Sequence, residues 1–162
     1  MKVAALQMDI AWHDRHANHV KARELATQAK ERGADLVILP EMFSTGFSMY
    51  TSITTEPLNG ATPALLRALA RELEMAVVGG FVLARENAGP QNVSLAVDRH
   101  GNDLALYAKI HQIPLLGEDA HYEPGDRPVP FDLQGFAPHA LCAMTFAFPS
   151  LSAHWLMNAA SS

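Results

Sequence analysis

The chain has 162 residues, of which 49% are hydrophobic and 18% charged, and its formal net charge is −5. This composition is typical of a globular protein with one sizeable core, and it is too apolar for a disordered chain. The Lys and Arg residues do not cluster, so we expect no nucleic-acid partner. The single cysteine excludes an internal disulfide, and the eight histidines have no spacing typical of a zinc site, so we expect no metal.

The N-terminal segment, MKVAALQMDIAW, differs from a signal peptide because its short apolar run is broken by Asp9. No stretch of the sequence reaches the ~18 apolar residues that are needed to span a bilayer. We therefore expect a soluble, cytoplasmic protein without a membrane partner.

The first third of the chain has the pattern of a βαβ unit. An apolar run over residues 2–8 precedes a helical period over 18–32, and Gly33 is placed to end that helix. Residues 35–39 (DLVIL) have the apolar character of a strand buried on both faces. A strand, a helix and a strand at this spacing predict two parallel strands.

A second helix and further strands are predicted downstream. Thr62 and Pro63 are typical of the N-cap and first position of a helix that ends near Glu74. In the next strand, the pair Gly79–Gly80 indicates a bulge or the close approach of another backbone. The predicted elements are a strand over 75–83, a hairpin of strands over 92–98 and 103–107, a long loop over 108–130, and strands over 129–133 and 138–142.

Three residues with reactive side chains follow or end predicted strands, namely Glu41, Lys109 and Cys142. Taken singly, a loop carboxylate, a solvated Lys and a small buried Cys are the ordinary interpretations of these residues. Taken together, they could meet at one edge of the sheet, where ligands bind in open α/β folds. A carboxylate can then remove the thiol proton, and an ammonium can stabilise the oxyanion that forms when the thiolate attacks an amide.

Several segments resemble the nitrilase superfamily of carbon–nitrogen hydrolases. LPEMFSTGF (39–47) is similar to the segment that holds the base glutamate, and YAKIHQIPLLGEDAHYEPGD (107–126) is similar to the segment with the catalytic lysine. The N-terminal KVAALQMDIAWHD, Asn18 and the pair Gln91–Asn92 also fit the family's pattern. The resemblance extends to about Phe136.

This resemblance implies an α/β fold, a partial αββα sandwich in which the chain supplies the first sheet, its helices and the start of the second sheet. It implies Glu41 as general base and Lys109 as the cation beside the oxyanion, with Glu118 and Tyr122 positioning the substrate. Cys142 is the candidate nucleophile, although the family's pattern, aligned on Phe148–Pro149, places the nucleophile one position later, at Ala143. The implied reaction is ω-amidase-like hydrolysis of a small amide through a thioester, without a cofactor. The full-length protein would be a homodimer.

The C-terminal segment departs from the family's pattern. Near the nucleophile the family reads approximately CYDLRFPE, whereas residues 142–150 read CAMTFAFPS, and residues 143–162 contain no Asp, Glu, Lys or Arg. Read one base out of phase, the Met-Thr codons force Asp, and the neighbouring codons permit Tyr before it and Leu-Arg-Phe-Pro-Glu after it. We therefore interpret residues 1–142 as an incomplete hydrolase domain and residues 143–162 as an atypical tail, read out of frame after a slip between Phe136 and Cys142.

Three alternatives accompany this interpretation. In the first, the chain is a divergent or truncated paralogue with Cys142 as its true nucleophile. In the second, it is a catalytically inactive fragment or pseudoenzyme of the same family. In the third, it is an unrelated α/β binding module. Because the segment after the nucleophile is replaced, we expect the 162-residue chain to have little amidase activity and to self-associate through an uncovered apolar sheet face.

Overall fold

The structure is a computed structural model that describes residues 1–133 and 156–158. The described helices are α1 (Arg15–Glu31), α2 (Thr51–Thr54) and α3 (Ala61–Glu72). The described strands are β1 (Lys2–Ala5), β2 (Leu36–Ile38), β3 (Thr55–Glu56), β4 (Ala76–Leu83), β5 (Gln91–Val97), β6 (Asp103–Ala108) and β7 (Leu156–Asn158). Pro114–Leu116 and Glu118–Ala120 are single turns of 3₁₀ helix in the loop after β6.

The strands form one mixed sheet in the order β6-β5-β4-β2-β1-β7, and β3 pairs with β4 off this path. The β1–β2 and β2–β4 pairs are parallel, which confirms the predicted βαβ unit. The β4–β5 and β5–β6 pairs are antiparallel, which confirms the predicted hairpin. Within the tail, β7 pairs antiparallel with β1. The sequence analysis did not predict β7, which lies at the edge of the sheet.

The two faces of the sheet are covered differently. Helices α1 and α3 cover one face, where their Ala and Leu side chains pack against alternate residues of the central strands, such as Val37 and Val77. The opposite face presents Leu36, Ile38 and Val78, and the segment around Leu133 packs on it. Alternation of side chains along each strand produces these two apolar faces.

Residues 129–133 do not form the predicted strand. Only Leu133 makes an isolated bridge, and the preceding residues have no regular structure. Pro128 and Pro130 lack the N–H groups that a sheet ladder requires, so the apolar character of this segment misled the prediction. The other strand predicted in this part of the chain, residues 138–142, lies outside the described residues.

Both long helices begin earlier than predicted because carboxylates bind their first turns. The Asp14 carboxylate accepts a hydrogen bond from the Ala17 N–H at 2.9 Å and is the N-cap of α1. The N-cap of α3 is Gly60 rather than Thr62, and the Thr62 N–H donates to the Glu56 carboxylate at 2.8 Å. Gly33, with φ of 82°, follows the end of α1 as predicted.

None of the helices within the described ranges has the length and apolar character to cross a membrane. In the same part of the chain, no group of three or more His, Cys, Asp or Glu side chains is arranged to hold a metal ion.

Candidate active site

Glu41 lies just past the carboxyl end of β2, in a turn that passes directly over β4. A Cβ atom added at Gly80 would lie 2.8 Å from the Met42 nitrogen and 2.9 Å from the Glu41 Cα. Only glycine permits this crossing, which confirms the close backbone approach that the Gly79–Gly80 pair predicted. Met42, buried and with a φ of 46°, adopts the left-handed conformation that is unusual for a residue with a side chain. The backbone is therefore bent where it positions the carboxylate.

Three charged side chains meet at this edge of the sheet. The Lys109 Nζ lies 3.0 Å from the Glu41 Oε1 and 2.8 Å from the Glu118 Oε2. All three are buried, with Lys109 at 5% and Glu118 at 0% exposure and the Glu41 side chain at 7%. The predicted meeting of Glu41 and Lys109 at one sheet edge is confirmed, Glu118 lies beside them, and the catalytic roles of all three stay predictions.

A fourth polar side chain, that of Asn92 in β5, completes the cluster. Its Nδ2 donates hydrogen bonds to the Glu41 Oε1 at 2.5 Å and to the Glu118 Oε1 at 3.1 Å. In the sequence, Asn92 was part of the family pattern without an assigned role. The sequence contained only a weak indication that Asn92 belongs to the site, since one polar residue in an apolar strand has many explanations.

The two carboxylates are not equivalent. Both oxygens of Glu118 accept hydrogen bonds, because Oε1 binds Asn92 while Oε2 binds Lys109 and the Ile113 N–H at 2.8 Å. On Glu41, Lys109 and Asn92 both bind Oε1, and no described residue donates to Oε2. Among the described residues, Glu41 therefore has one oxygen without a donor, which can accept a proton, whereas both Glu118 oxygens are already engaged.

The charge of the cluster also favours Glu41 as a base. Burial raises the pKa of Glu41 above its usual range against the opposing effect of the Lys109 charge, and the negative charge of Glu118 raises it further. A carboxylate whose pKa is shifted toward neutrality is a stronger base at the pH of the reaction. Two carboxylates sharing one ammonium are a chemically suitable arrangement for moving a proton.

An aromatic side chain lies against the ammonium. The Lys109 Nζ is 5.1 Å from the centroid of the Phe47 ring, within the range of a cation–π contact. Phe47 belongs to the same loop as Glu41 and packs against the small apolar cluster formed by Met42, Val82 and Tyr122. One loop therefore supplies both the base and part of the apolar wall beside the cation.

The Tyr122 hydroxyl contacts the loop after Glu41 rather than the charged side chains. Its hydroxyl donates to the Ser48 carbonyl and lies 3.1 Å from the Thr54 hydroxyl, and its side chain is buried. Burial raises the pKa of Tyr122, which keeps the hydroxyl protonated as a donor. These contacts join the Lys109 loop to the Glu41 loop, and the predicted substrate-positioning role of Tyr122 stays a prediction.

The backbone near Lys109 is held by the Pro-Gly segment that follows Tyr122. The Gly125 N–H donates to the Lys109 carbonyl at 2.9 Å. A Cβ atom at Gly125 would lie only 2.2 Å from the Ala108 carbonyl oxygen, so no other residue fits without displacing the end of β6. The Pro-Gly of the sequence motif thus fixes the strand end that bears the lysine.

Asn18, a landmark of the sequence without an assigned role, connects two loops. Its side chain exchanges hydrogen bonds with the backbone of Ala11, each at 2.7 Å, and its Nδ2 donates to the Ser44 carbonyl at 3.0 Å. The side chain is fully buried and satisfies backbone groups of both loops, together with the Asp14 N–H that also donates to the Ala11 carbonyl at 3.2 Å. Asn18 therefore ties the N-terminal loop to the loop that carries Glu41.

Cys142, the predicted nucleophile, and its neighbour Ala143 lie outside the described residues. A separate cavity of about 310 Å³ lies at the opposite end of the parallel strands and is lined in part by Asp35, Glu74 and Asp98. The Asp35 and Asp98 carboxylates accept hydrogen bonds from the backbone N–H groups of Lys2 and His100. This cavity is remote from the charged cluster, and we assign it no chemistry.

The family model for carbon–nitrogen hydrolases matches residues 2–144 of the chain. This chain belongs to the carbon–nitrogen hydrolase family. The family match excludes the unrelated binding module considered from sequence, and it agrees with the predicted α/β fold of the nitrilase superfamily.

Individual relatives agree with this assignment. The chain is 24% identical to the 2-oxoglutaramate amidase of Bacillus subtilis (strain 168), over 91% of this chain and 57% of that protein. A CN-hydrolase superfamily protein from Xanthomonas campestris superposes with a TM-score of 0.78 at 28% identity, over 85% of this chain and 51% of that one. An amidase from Nesterenkonia sp. AN1, in a structure with acrylamide added at its active site cysteine, gives 0.75 at 25% identity, over 85% and 55%. The chain thus spans little more than half the length of these relatives.

Proposed function

We propose that this chain carries the base and the cation of a hydrolase that cleaves the C–N bond of a small amide, in the manner of an ω-amidase. The observation that supports this most strongly is the buried ammonium of Lys109 between two carboxylates, of which only Glu41 has an oxygen to which no described residue donates. The name of the B. subtilis relative and the active site cysteine of the Nesterenkonia amidase support an amide substrate and a thiol nucleophile.

The acylation half of the proposed reaction begins with proton removal. Oε2 of Glu41 takes the proton of the cysteine thiol, and the thiolate attacks the amide carbon. The Lys109 ammonium stabilises the negative charge on the tetrahedral oxygen. When the C–N bond breaks, the proton held by Glu41 passes to the leaving nitrogen, ammonia departs, and a thioester remains.

Deacylation uses the same base. Glu41 removes a proton from water, the resulting hydroxide attacks the thioester carbon, and the carboxylic acid leaves as the thiol is reprotonated. Glu118 does not exchange protons in this scheme, because both its oxygens accept hydrogen bonds. Its proposed role is to hold the Lys109 ammonium in place.

Cys142 is the proposed nucleophile of the chain as given. If the reading frame slips before Cys142, the codon that overlaps Cys142 and Ala143 supplies the cysteine instead. The amide substrate, a homodimer of the full-length protein and a cytoplasmic location are further parts of this proposal that rest on the sequence.

The test is ammonia release from small ω-amides such as glutaramate, measured for the 162-residue chain and for the chain with its reading frame restored. We expect release by the restored chain and little or none by the 162-residue chain, the latter being the inactive fragment considered above. Cys142→Ala in the 162-residue chain is the control for residual activity. Failure of both chains to hydrolyse any small amide would contradict the proposed function.

A further inference from the structure

Asn92 makes contacts that no catalytic role assigned above requires. It is 2% exposed, and its Nδ2 binds both Glu41 and Glu118. On Glu41 it binds Oε1, the same oxygen that Lys109 binds. Its backbone carbonyl also accepts a hydrogen bond from the Lys109 N–H at 2.9 Å. One residue therefore contacts all three members of the charged cluster.

The chemistry of the cluster fixes which way the Asn92 amide points. Ionised carboxylates only accept hydrogen bonds, so an amide turned the other way would place its oxygen against two acceptors. With Nδ2 toward the carboxylates, the Asn92 Oδ1 is buried and no described residue donates to it. A buried acceptor without a donor destabilises a fold, which indicates that this orientation is kept for the contacts of Nδ2.

The charges of the cluster explain what Nδ2 contributes. Lys109 supplies one positive charge for two carboxylates, so one negative charge is left without a cation among the described residues. The two hydrogens of Nδ2 bind one carboxylate each and add no net charge. A second cation in this position would instead leave Glu41 too weak a base.

We propose that Asn92 is a positioning residue that engages the Oε1 atom of Glu41 and thereby presents Oε2 as the proton acceptor. Its hydrogen bond to Glu118 holds the two carboxylates in one fixed arrangement around Lys109. The catalytic meaning of this inference rests on the proposed function, whereas the hydrogen bonding itself can be measured without activity.

The test is an infrared difference titration of the 162-residue chain labelled with ¹³C at the Glu carboxyl groups, since infrared bands can be followed even in a self-associated sample. The signal of Glu41 is identified by its loss in Glu41→Gln. Because Asn92 favours the ionised form of Glu41, Asn92→Leu raises the Glu41 midpoint by about one pH unit. Asn92→Asp raises it further, because a third carboxylate then adjoins the first two.

Gln91 offers matched controls one position away. Its side chain donates to the Pro124 carbonyl and does not contact the cluster. We expect Gln91→Leu and Gln91→Glu to leave the Glu41 midpoint unchanged. A midpoint that is the same in wild type, Asn92→Leu and Asn92→Asp would overturn the proposal.

A second measurement uses the unmodified sequence and does not depend on how well the variants fold. With ¹³C in the Asn side-chain carbonyls, one amide band should shift at the pH at which Glu41 titrates. If no Asn band follows Glu41, the proposal is wrong. In a catalytically active chain, Asn92→Leu also moves the acid limb of the kcat/KM profile to higher pH. Absence of amidase activity in both the 162-residue chain and the frame-restored chain would contradict the proposed function and leave the titration result for Asn92 standing.

Discussion

Two buried carboxylates, Glu56 and Glu41, each lie beside a cation, in different parts of the fold. Glu56, in β3 near α3, accepts the Thr62 N–H at 2.8 Å through Oε2. Its Oε1 lies 3.5 Å from the Arg15 Nε. One carboxylate thus lies beside one guanidinium and at the positive end of a helix, so its charge is balanced one to one, although neither the Glu56 Oε1 nor the Arg15 Nε has a hydrogen-bond partner among the described residues.

Glu41 has a different set of neighbours. It shares the single Lys109 ammonium with Glu118, and its hydrogen bonds within the described chain come from side chains alone. The comparison shows that burial of a charged pair does not by itself indicate chemistry. A carboxylate that is paired with one cation and bound by a backbone N–H stabilises the fold. Two carboxylates that share one cation leave one negative charge that can bind a proton.

The largest expected difference between the two sites is in stability. Lys109→Met leaves two carboxylates buried without a cation and should lower the free energy of unfolding by about 3–5 kcal/mol. Arg15→Met leaves Glu56 bound to the helix N-terminus, and Arg15 is partly exposed, so the loss should be about 1 kcal/mol. Denaturant unfolding measures both, with the surface variant Lys21→Met as control. An equal loss for Lys109→Met and Arg15→Met would refute the distinction between the sites.

The glycine pair next to Glu41 allows a second test, of whether the backbone geometry at Glu41 positions the base. A Cβ at Gly80 would collide with the backbone of Glu41 and Met42, whereas one at Gly79 would approach only the side chains of Leu66 and Phe43. Displacing the base by about 1 Å costs on the order of 10²-fold in rate. We therefore expect Gly80→Ala to lower the kcat of an active chain by about that factor.

Gly79→Ala is the matched control for this prediction. It adds the same methyl group to the same strand, and its clashes can be relieved by side-chain movement. We expect it to lower the melting temperature and to keep most of kcat. If Gly79→Ala reduces kcat as much as Gly80→Ala, the crossing over β4 does not position the base.

The third prediction concerns the pH dependence of stability at Glu41. Burial raises the pKa of Glu41 in the folded chain above its ordinary value of 4.5. A carboxyl with a raised folded pKa stabilises the fold below the unfolded pKa, and this contribution is lost as the pH rises through the folded pKa. Glu41→Gln should therefore become more stable relative to the parent chain as the pH increases above 4.5. Thermal melting of both chains across this pH range tests the prediction. A stability difference in favour of Glu41→Gln that shrinks with rising pH would contradict it.

The smallest expected effect on stability is at His19, in the layer that contains Glu56. Burial lowers the pKa of His19 from 6.5 to about 4, with further lowering by the charges of Arg15 and His16. A lowered folded pKa means that the stabilisation is present above pH 6.5 and is lost as the pH falls toward 4. The loss should be at most about 1 kcal/mol because His19 is partly solvated. His19→Gln should remove this dependence of stability on pH. His16→Gln, a change at an exposed residue, should retain it.

The sequence predicted the central strands because their apolar runs are long and bounded by clear turn residues. It failed at the start of α3 and over residues 129–133, for two different reasons. The start of α3 depends on the carboxylate of Glu56, and the strand expected over 129–133 is prevented by prolines. The segment around Thr51–Glu56, with its short helix and strand, has no period that would mark either element.

The candidate site was predictable to a similar degree. Glu41 and Lys109 each follow a strand, so their meeting at one sheet edge could be expected from topology. The contribution of Asn92 could not, because its two side-chain partners lie 51 and 26 residues away in sequence. Only the folded arrangement distinguishes the free oxygen of Glu41 from the engaged oxygens of Glu118.

The most direct test of the account compares Glu41→Gln with Glu56→Gln in ammonia release from a small ω-amide. It uses whichever chain is active, as given or with the reading frame restored. If Glu41 is the general base, Glu41→Gln should lower kcat/KM by about 10²–10⁴-fold, while Glu56→Gln should retain the rate within a small factor once corrected for folded protein. Retention of the rate in Glu41→Gln, or an equal loss in Glu56→Gln, would contradict the assignment of the base to this cluster.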